Sequence, residues 1–95
     1  MTLLTKEMKA KIPPLYSQEN VKDPIAHVKF ICLWSDWVWW VVEFDGEDLC
    51  FGKVKGFETE LGYFRLSELE AVEGPGGMQI ERDLFFKPIP LSQCE

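Results

Sequence analysis

The sequence predicts an α+β domain with a four- or five-stranded antiparallel sheet and two short helices, and three observations carry that expectation. Residues 26–54, AHVKFICLWSDWVWWVVEFDGEDLCFGKV, hold all four tryptophans and read as three antiparallel strands joined by two tight turns. Two short segments with helix-start signals lie outside that run, one on each side of it. The chain of 95 residues, with a hydrophobic share of 46% and a charged share of 27%, has the size and composition of one globular domain.

Taken in order, Thr5 caps a helix running to Ile12, with Leu4, Met8 and Ile12 on one side, and Pro13-Pro14 stops it. Residues 15–24, LYSQENVKDP, have turn formers and no periodicity and read as a loop. In the central run Asp45-Gly46 is expected to form a two-residue type I′ hairpin turn, with Gly46 supplying positive φ. That register sets Phe44 against Glu47, Glu43 against Asp48, Trp40 against Phe51 and Trp39 against Gly52. A two-residue Ser35-Asp36 turn sets Trp34 against Trp37, Cys32 against Trp39 and Ile31 against Trp40. Residues 56–62 read as a connection and 62–66 as a fourth strand. Ser67 and Glu70 in SELE form a capping box for a helix to about Val72. GPGG at 74–77 is a loop, and 79–87 is a last strand whose end Pro88 and Pro90 place at a sheet edge.

Alternation sorts the central run into two apolar faces. One carries Ile31, Leu33, Val38, Trp40, Val42, Leu49 and Phe51. The other carries Val28, Phe30, Cys32, Trp34, Trp37, Trp39, Val41 and Cys50, with Glu43 and Asp48 near the turn. A sheet with one wet face shows polar residues at every second position, so this one must be covered on both sides, by its own chain or by a second copy in a homodimer. A one-residue bulge would swap part of these sets.

Composition narrows the function. Cys32, Cys50 and Cys94 form no CxxC, and Cys32 and Cys50 sit about 10 Å apart in this register, beyond disulfide reach. Free thiols, no membrane-length apolar run, and charges where a secretory signal has its apolar core lead to the expectation of a cytoplasmic protein without membrane contact. A formal charge of −6, with Lys and Arg scattered singly, argues against direct nucleic-acid binding and leaves a basic protein partner open.

No catalytic residue and no cofactor is expected. GPGG lacks the GK[ST] of a phosphate loop, and His27, the only histidine, leaves multi-histidine sites unbuildable. Glu43 beside Asp48 is the one carboxylate pair on which a metal-dependent or hydrolytic accessory activity can be drawn. Partner binding is assigned instead to Trp34 and Trp37, which flank a turn, to Arg82, and to the acids Glu47, Asp48, Glu58, Glu60, Glu68 and Glu70. Laid over one rim, those acids would imitate a phosphate backbone and occupy a basic nucleic-acid groove.

The runs WVVEFDGEDLCFGKVKGF, ELGYFRLSELEAV and GPGGMQIERDLFF resemble the bacterial family known as domain of unknown function 2958. The resemblance extends from LLTKEM through PPLYSQENVKDP to KPIPL, and rests on Phe51-Gly52, Glu60-Leu61-Gly62, Leu66 with Glu68-Leu69, and Glu81-Arg82-Asp83. It implies a small protein of plasmids, phages and integrated elements, found near genes for DNA handling or evasion of restriction. The expectation is therefore a non-enzymatic interaction module of a mobile element, an inhibitor of the anti-restriction or anti-CRISPR kind acting on a host nucleic-acid-targeting defence system. The alternatives are the carboxylate-pair enzyme and a homodimeric structural protein.

Overall fold

A computed structural model describes residues 2–95. Helix α1, Lys6–Lys11, begins where Thr5 Oγ1 accepts the Met8 N–H at 3.2 Å and ends ahead of Pro13. Seven strands follow among the described residues: β1 (Ile25–Ala26), β2 (Val28–Ile31), β3 (Val38–Phe44), β4 (Leu49–Lys55), β5 (Thr59–Arg65), β6 (Glu81–Arg82) and β7 (Ile89–Pro90). Helix α2, Leu66–Ala71, separates β5 from β6. The main sheet is antiparallel with order β5-β4-β3-β2-β6, and β1 pairs with β7 in a separate two-stranded ladder. This is the α+β class the sequence predicts.

Both faces of the sheet are covered, unequally. The first face carries Val28, Phe30, Cys32, Trp39, Val41, Phe44, Cys50 and Phe64, under Leu3, Leu4 and Ile12 around α1, Leu66 and Leu69 of α2, and Ile80. On the second, Trp40 and Val42 pack with Ala26, Leu91 and Cys94, so the C-terminal segment covers the β3 side. The β4–β5 side of that face stays largely open, with Leu61 and Tyr63 more than half exposed. Among the described residues no helix is long and apolar enough to cross a membrane.

The registers differ from expectation, and local hydrogen bonds explain how. At the first turn Ser35 Oγ accepts the Trp37 N–H, and Cys32 N–H reaches Trp37 O, both at 3.2 Å, so the loop spans four residues rather than two. Trp39 therefore faces Phe30 and Trp40 faces Lys29, a two-residue shift that leaves each side chain on its expected face. At the second turn Asp45 Oδ1 accepts the N–H groups of Glu47, Asp48 and Leu49 at 2.8, 2.8 and 3.0 Å. A carboxylate serving three donors builds a wider loop than a type I′ turn, and Phe44 pairs with Cys50.

A bulge at Val42 between the Val41 and Glu43 pairings then turns Glu43 onto the second face, opposite Phe51. Gly52 faces Val41 rather than Trp39. A Cβ there would lie 1.7 Å from the Trp40 carbonyl oxygen, so only glycine fits.

Two further expectations change. Arg65 precedes α2 without a side-chain cap, and Ser67 sits inside the helix. No capping box forms, because Ser67 and Glu70 bond elsewhere. The last strand shrinks to Glu81–Arg82, because Asp83 Oδ1 accepts the Phe85 N–H and turns the chain. Pro90 does lie in an edge pairing, opposite Ile25.

Candidate interaction surface

Four of the ionisable groups nominated from the sequence, Glu43, Asp48, Glu70 and Arg82, hold backbone. Glu43 is 3% exposed and accepts the Tyr16 and Gln18 N–H groups, each at 2.8 Å, one per carboxylate oxygen. It thereby pins Tyr16 at φ 68°, a left-handed conformation costly for a bulky residue. Asp48 lies beyond the start of β4, where its carboxylate takes the Ser67 N–H at 2.8 Å and the Ser67 hydroxyl at 2.7 Å. Those bonds, the hydroxyl first, hold Asp48 below the ordinary carboxylate range. Glu43 and Asp48 are thus not cross-strand neighbours, and the carboxylate pair of the enzyme alternative does not exist.

Glu70 and Arg82 share one task. Glu70 Oε2 accepts the Leu3 N–H at 2.8 Å and Arg82 Nη1 donates to Leu3 O at 2.6 Å, clamping one peptide unit from both sides. The three thiols are buried and free, and burial pushes Cys50 up to about 12, leaving it inert as a nucleophile. No group of three His, Cys, Asp or Glu side chains fit to hold a metal occurs among the described residues.

The tryptophans next to the first turn are half-buried and lie on glycines. A Cβ on Gly74 would come within 2.5 Å of the Trp34 indole, and one on Gly56 within 2.5 Å of Trp37. Trp37 also packs against Trp39 at 5.9 Å between ring centroids and meets the edge of Phe57 at 5.5 Å. Phe57 itself is 96% exposed. Trp37, Val54, Gly56, Phe57, Glu58 and Glu60 line a cleft of about 240 Å³, which joins three of the nominated residues, Trp37, Glu58 and Glu60.

The acids do not form one rim. Glu47, Asp48, Glu68 and Glu70 lie where the β3–β4 turn meets α2, whereas Glu58 and Glu60 lie near the other end of β4, at its turn into β5 and opposite Val54, across a strand of seven residues and about 20 Å. Of these acids only Glu58 and Glu60 are both exposed and set in a cleft with aromatic side chains.

On the second face a groove of about 620 Å³ runs between the 16–24 loop, the C-terminal segment and the open side of the sheet. Phe51 and Tyr63 form its aromatic wall, their centroids 5.0 Å apart, and Tyr16 and Leu61 join them. Desolvation and the neighbouring Tyr16 phenol raise the Tyr63 hydroxyl above its ordinary range. Two of the groove's ionic groups are engaged internally: Glu43 holds the loop, and Lys53 Nζ donates to Cys94 O at 2.6 Å while lying 5.4 Å from the Trp40 ring centroid. Tyr16, Phe57, Leu61 and Tyr63 were not nominated from the sequence. The alternation of Leu61 and Tyr63 along a strand was the available sign; Phe57 and Tyr16 gave none.

The family described as "Protein of unknown function (DUF2958)" matches residues 3–94, nearly the whole chain. The chain belongs to that family. Its DUF2958 fold is therefore the arrangement above, with the cleft at the β4–β5 turn and the groove on opposite faces of β5. No curated protein and no solved structure matches the chain.

Proposed function

We propose that this DUF2958 protein is a non-enzymatic interaction module of a bacterial mobile element, and that it acts on a basic, nucleic-acid-binding host protein of a defence system. The observation that carries the reading is the cleft in which Trp37 and Phe57 stand beside the exposed carboxylates of Glu58 and Glu60. Aromatic faces with adjacent carboxylates suit an arginine or lysine side chain, which gains both ring and ionic contact. The formal charge of −6 adds long-range attraction for a basic partner. The mobile-element setting rests on the family resemblance. Employment of Glu43, Asp48, Glu70 and Arg82 as backbone supports favours binding over catalysis.

The test begins with capture of a partner from the host cell and measurement of its association rate. Glu58→Lys with Glu60→Lys should slow association roughly tenfold or more at low salt, and change little near 1 M, where the Debye length is about 3 Å. Glu47→Lys with Glu68→Lys, at the other end of β4, should have a smaller effect. Equal rates for wild type and the Glu58/Glu60 variant at low salt would defeat the reading.

A further inference from the structure

We infer that the partner enters as an extended segment that adds a sixth strand beside β5, with basic side chains over the cleft and apolar ones over the groove. The inference rests on the interaction reading above and names the chemistry of its ligand. β5 ends the main sheet, runs seven residues, and pairs with β4 without a bulge. It contains no proline or lysine of the kind that guards an edge. The opposite edge, β6, has two residues and offers little template.

Hydrogen bonds outside the ladder fix which groups are free. Gly56 N–H bonds to Glu58 O and Leu66 N–H to Asp48 O, and both pairs belong to the β4–β5 register. Hydrogen-bonded pairs alternate in an antiparallel ladder, so Glu60, Gly62 and Phe64 bond inward. Thr59, Leu61 and Tyr63 turn their N–H and C=O groups outward, and among the described residues no backbone group meets them.

Alternation then dictates the ligand. Partner residues opposite Leu61 and Tyr63 lie on the groove face, beside side chains 59% and 51% exposed. Partner residues opposite Glu60, and opposite Glu58 just before the strand, lie on the cleft face, where the two carboxylates call for lysine or arginine. The exposed apolar side chains of Leu61 and Tyr63 on the groove face disfavour the reverse arrangement. Charge also disfavours a second copy. Each chain carries −6, and pairing β5 with itself offers no cation to Glu58 or Glu60 in the symmetric register centred on Gly62.

The probe is a nine-residue peptide alternating valine and lysine, blocked at both ends, in three forms: unmodified, N-methylated on the central valines, and N-methylated on the central lysines. Only valine N–H groups would face β5, so valine methylation should weaken binding to the wild-type protein by roughly tenfold or more, and lysine methylation by less than about threefold. Leu61→Pro removes an outward donor while sparing the inner ladder, and should cause the same loss with an unchanged circular dichroism spectrum. Equal binding of all three peptides would overturn strand addition yet leave a basic partner at the cleft. Absence of binding by the unmodified peptide at millimolar concentration would overturn it too. So would a dimer in sedimentation that Leu61→Pro dissociates and the peptide leaves intact, since β5 would then be covered by a second copy. The interaction reading fails separately, on the salt dependence of Glu58→Lys with Glu60→Lys.

Discussion

Glu43 shows what a single displaced residue can do. The Val42 bulge moves its carboxylate from a solvated hairpin margin to a nearly enclosed position that fixes the 16–18 backbone. Glu43→Ala should cost about 3 kcal/mol, because two N–H groups lose a charged acceptor, whereas Glu43→Gln keeps one acceptor and should cost about half as much; urea midpoints report both. Gly52→Ala should be worse still and abolish cooperative unfolding, since the Trp40 carbonyl occupies the added methyl's space. Neither position was legible from the sequence in these roles. A bulge depends on how two turns and a sheet close together, and nothing in VVEFDG distinguishes a type I′ turn from a carboxylate gathering three amides.

Elements defined by neighbouring residues were easier to read. The Thr5 cap spans three residues, and its partner Met8 follows from helix geometry alone. SELE carries the same local signal at α2, but Asp48 from the β3–β4 turn takes both Ser67 groups, and Glu70 reaches Leu3 instead. A distant carboxylate outcompeted the local one. Asp48→Ala should therefore speed amide exchange across the first turn of α2, and Glu70→Ala should leave that turn unchanged while loosening the Leu3 amide; hydrogen exchange by NMR separates the two. Misplacing the acids on one rim has a related cause, since strand alternation says which face a residue takes but not which end of the sheet a turn occupies.

For the molecule as a whole, pH acts through groups whose shifts share a sign on each side of neutrality. Burial lowers His27 from 6.5, and hydrogen bonds lower Asp23, Asp45 and Asp48 from 3.8, led respectively by the Ser92 hydroxyl, the Glu47 amide and the Ser67 hydroxyl. In each case the unfolded chain takes up protons first. The stabilisation is present above the ordinary value and is lost as pH falls through the folded one. Cys50 is raised from 9.0 to about 12, so the unfolded thiol ionises first and stability declines as pH rises past 9.0. Urea midpoints should thus form a plateau between 6.5 and 9.0, with a shallow acid shoulder that His27→Gln removes and a steeper fall below 3.8.

The Leu3 clamp carries a consequence in time. Its two holders lie 67 and 79 residues further along the chain. During synthesis at about 5 to 20 residues per second, Leu3, Leu4 and the apolar side of α1 must wait several seconds for Glu70 and Arg82 to emerge. The sheet's first face is meanwhile uncovered, and contacts of such long sequence separation form late. A nascent chain stalled before Arg82 should therefore offer its N-terminal apolar residues to a chaperone that the released protein never meets, and protease protection of stalled chains should appear only once residue 82 has cleared the tunnel.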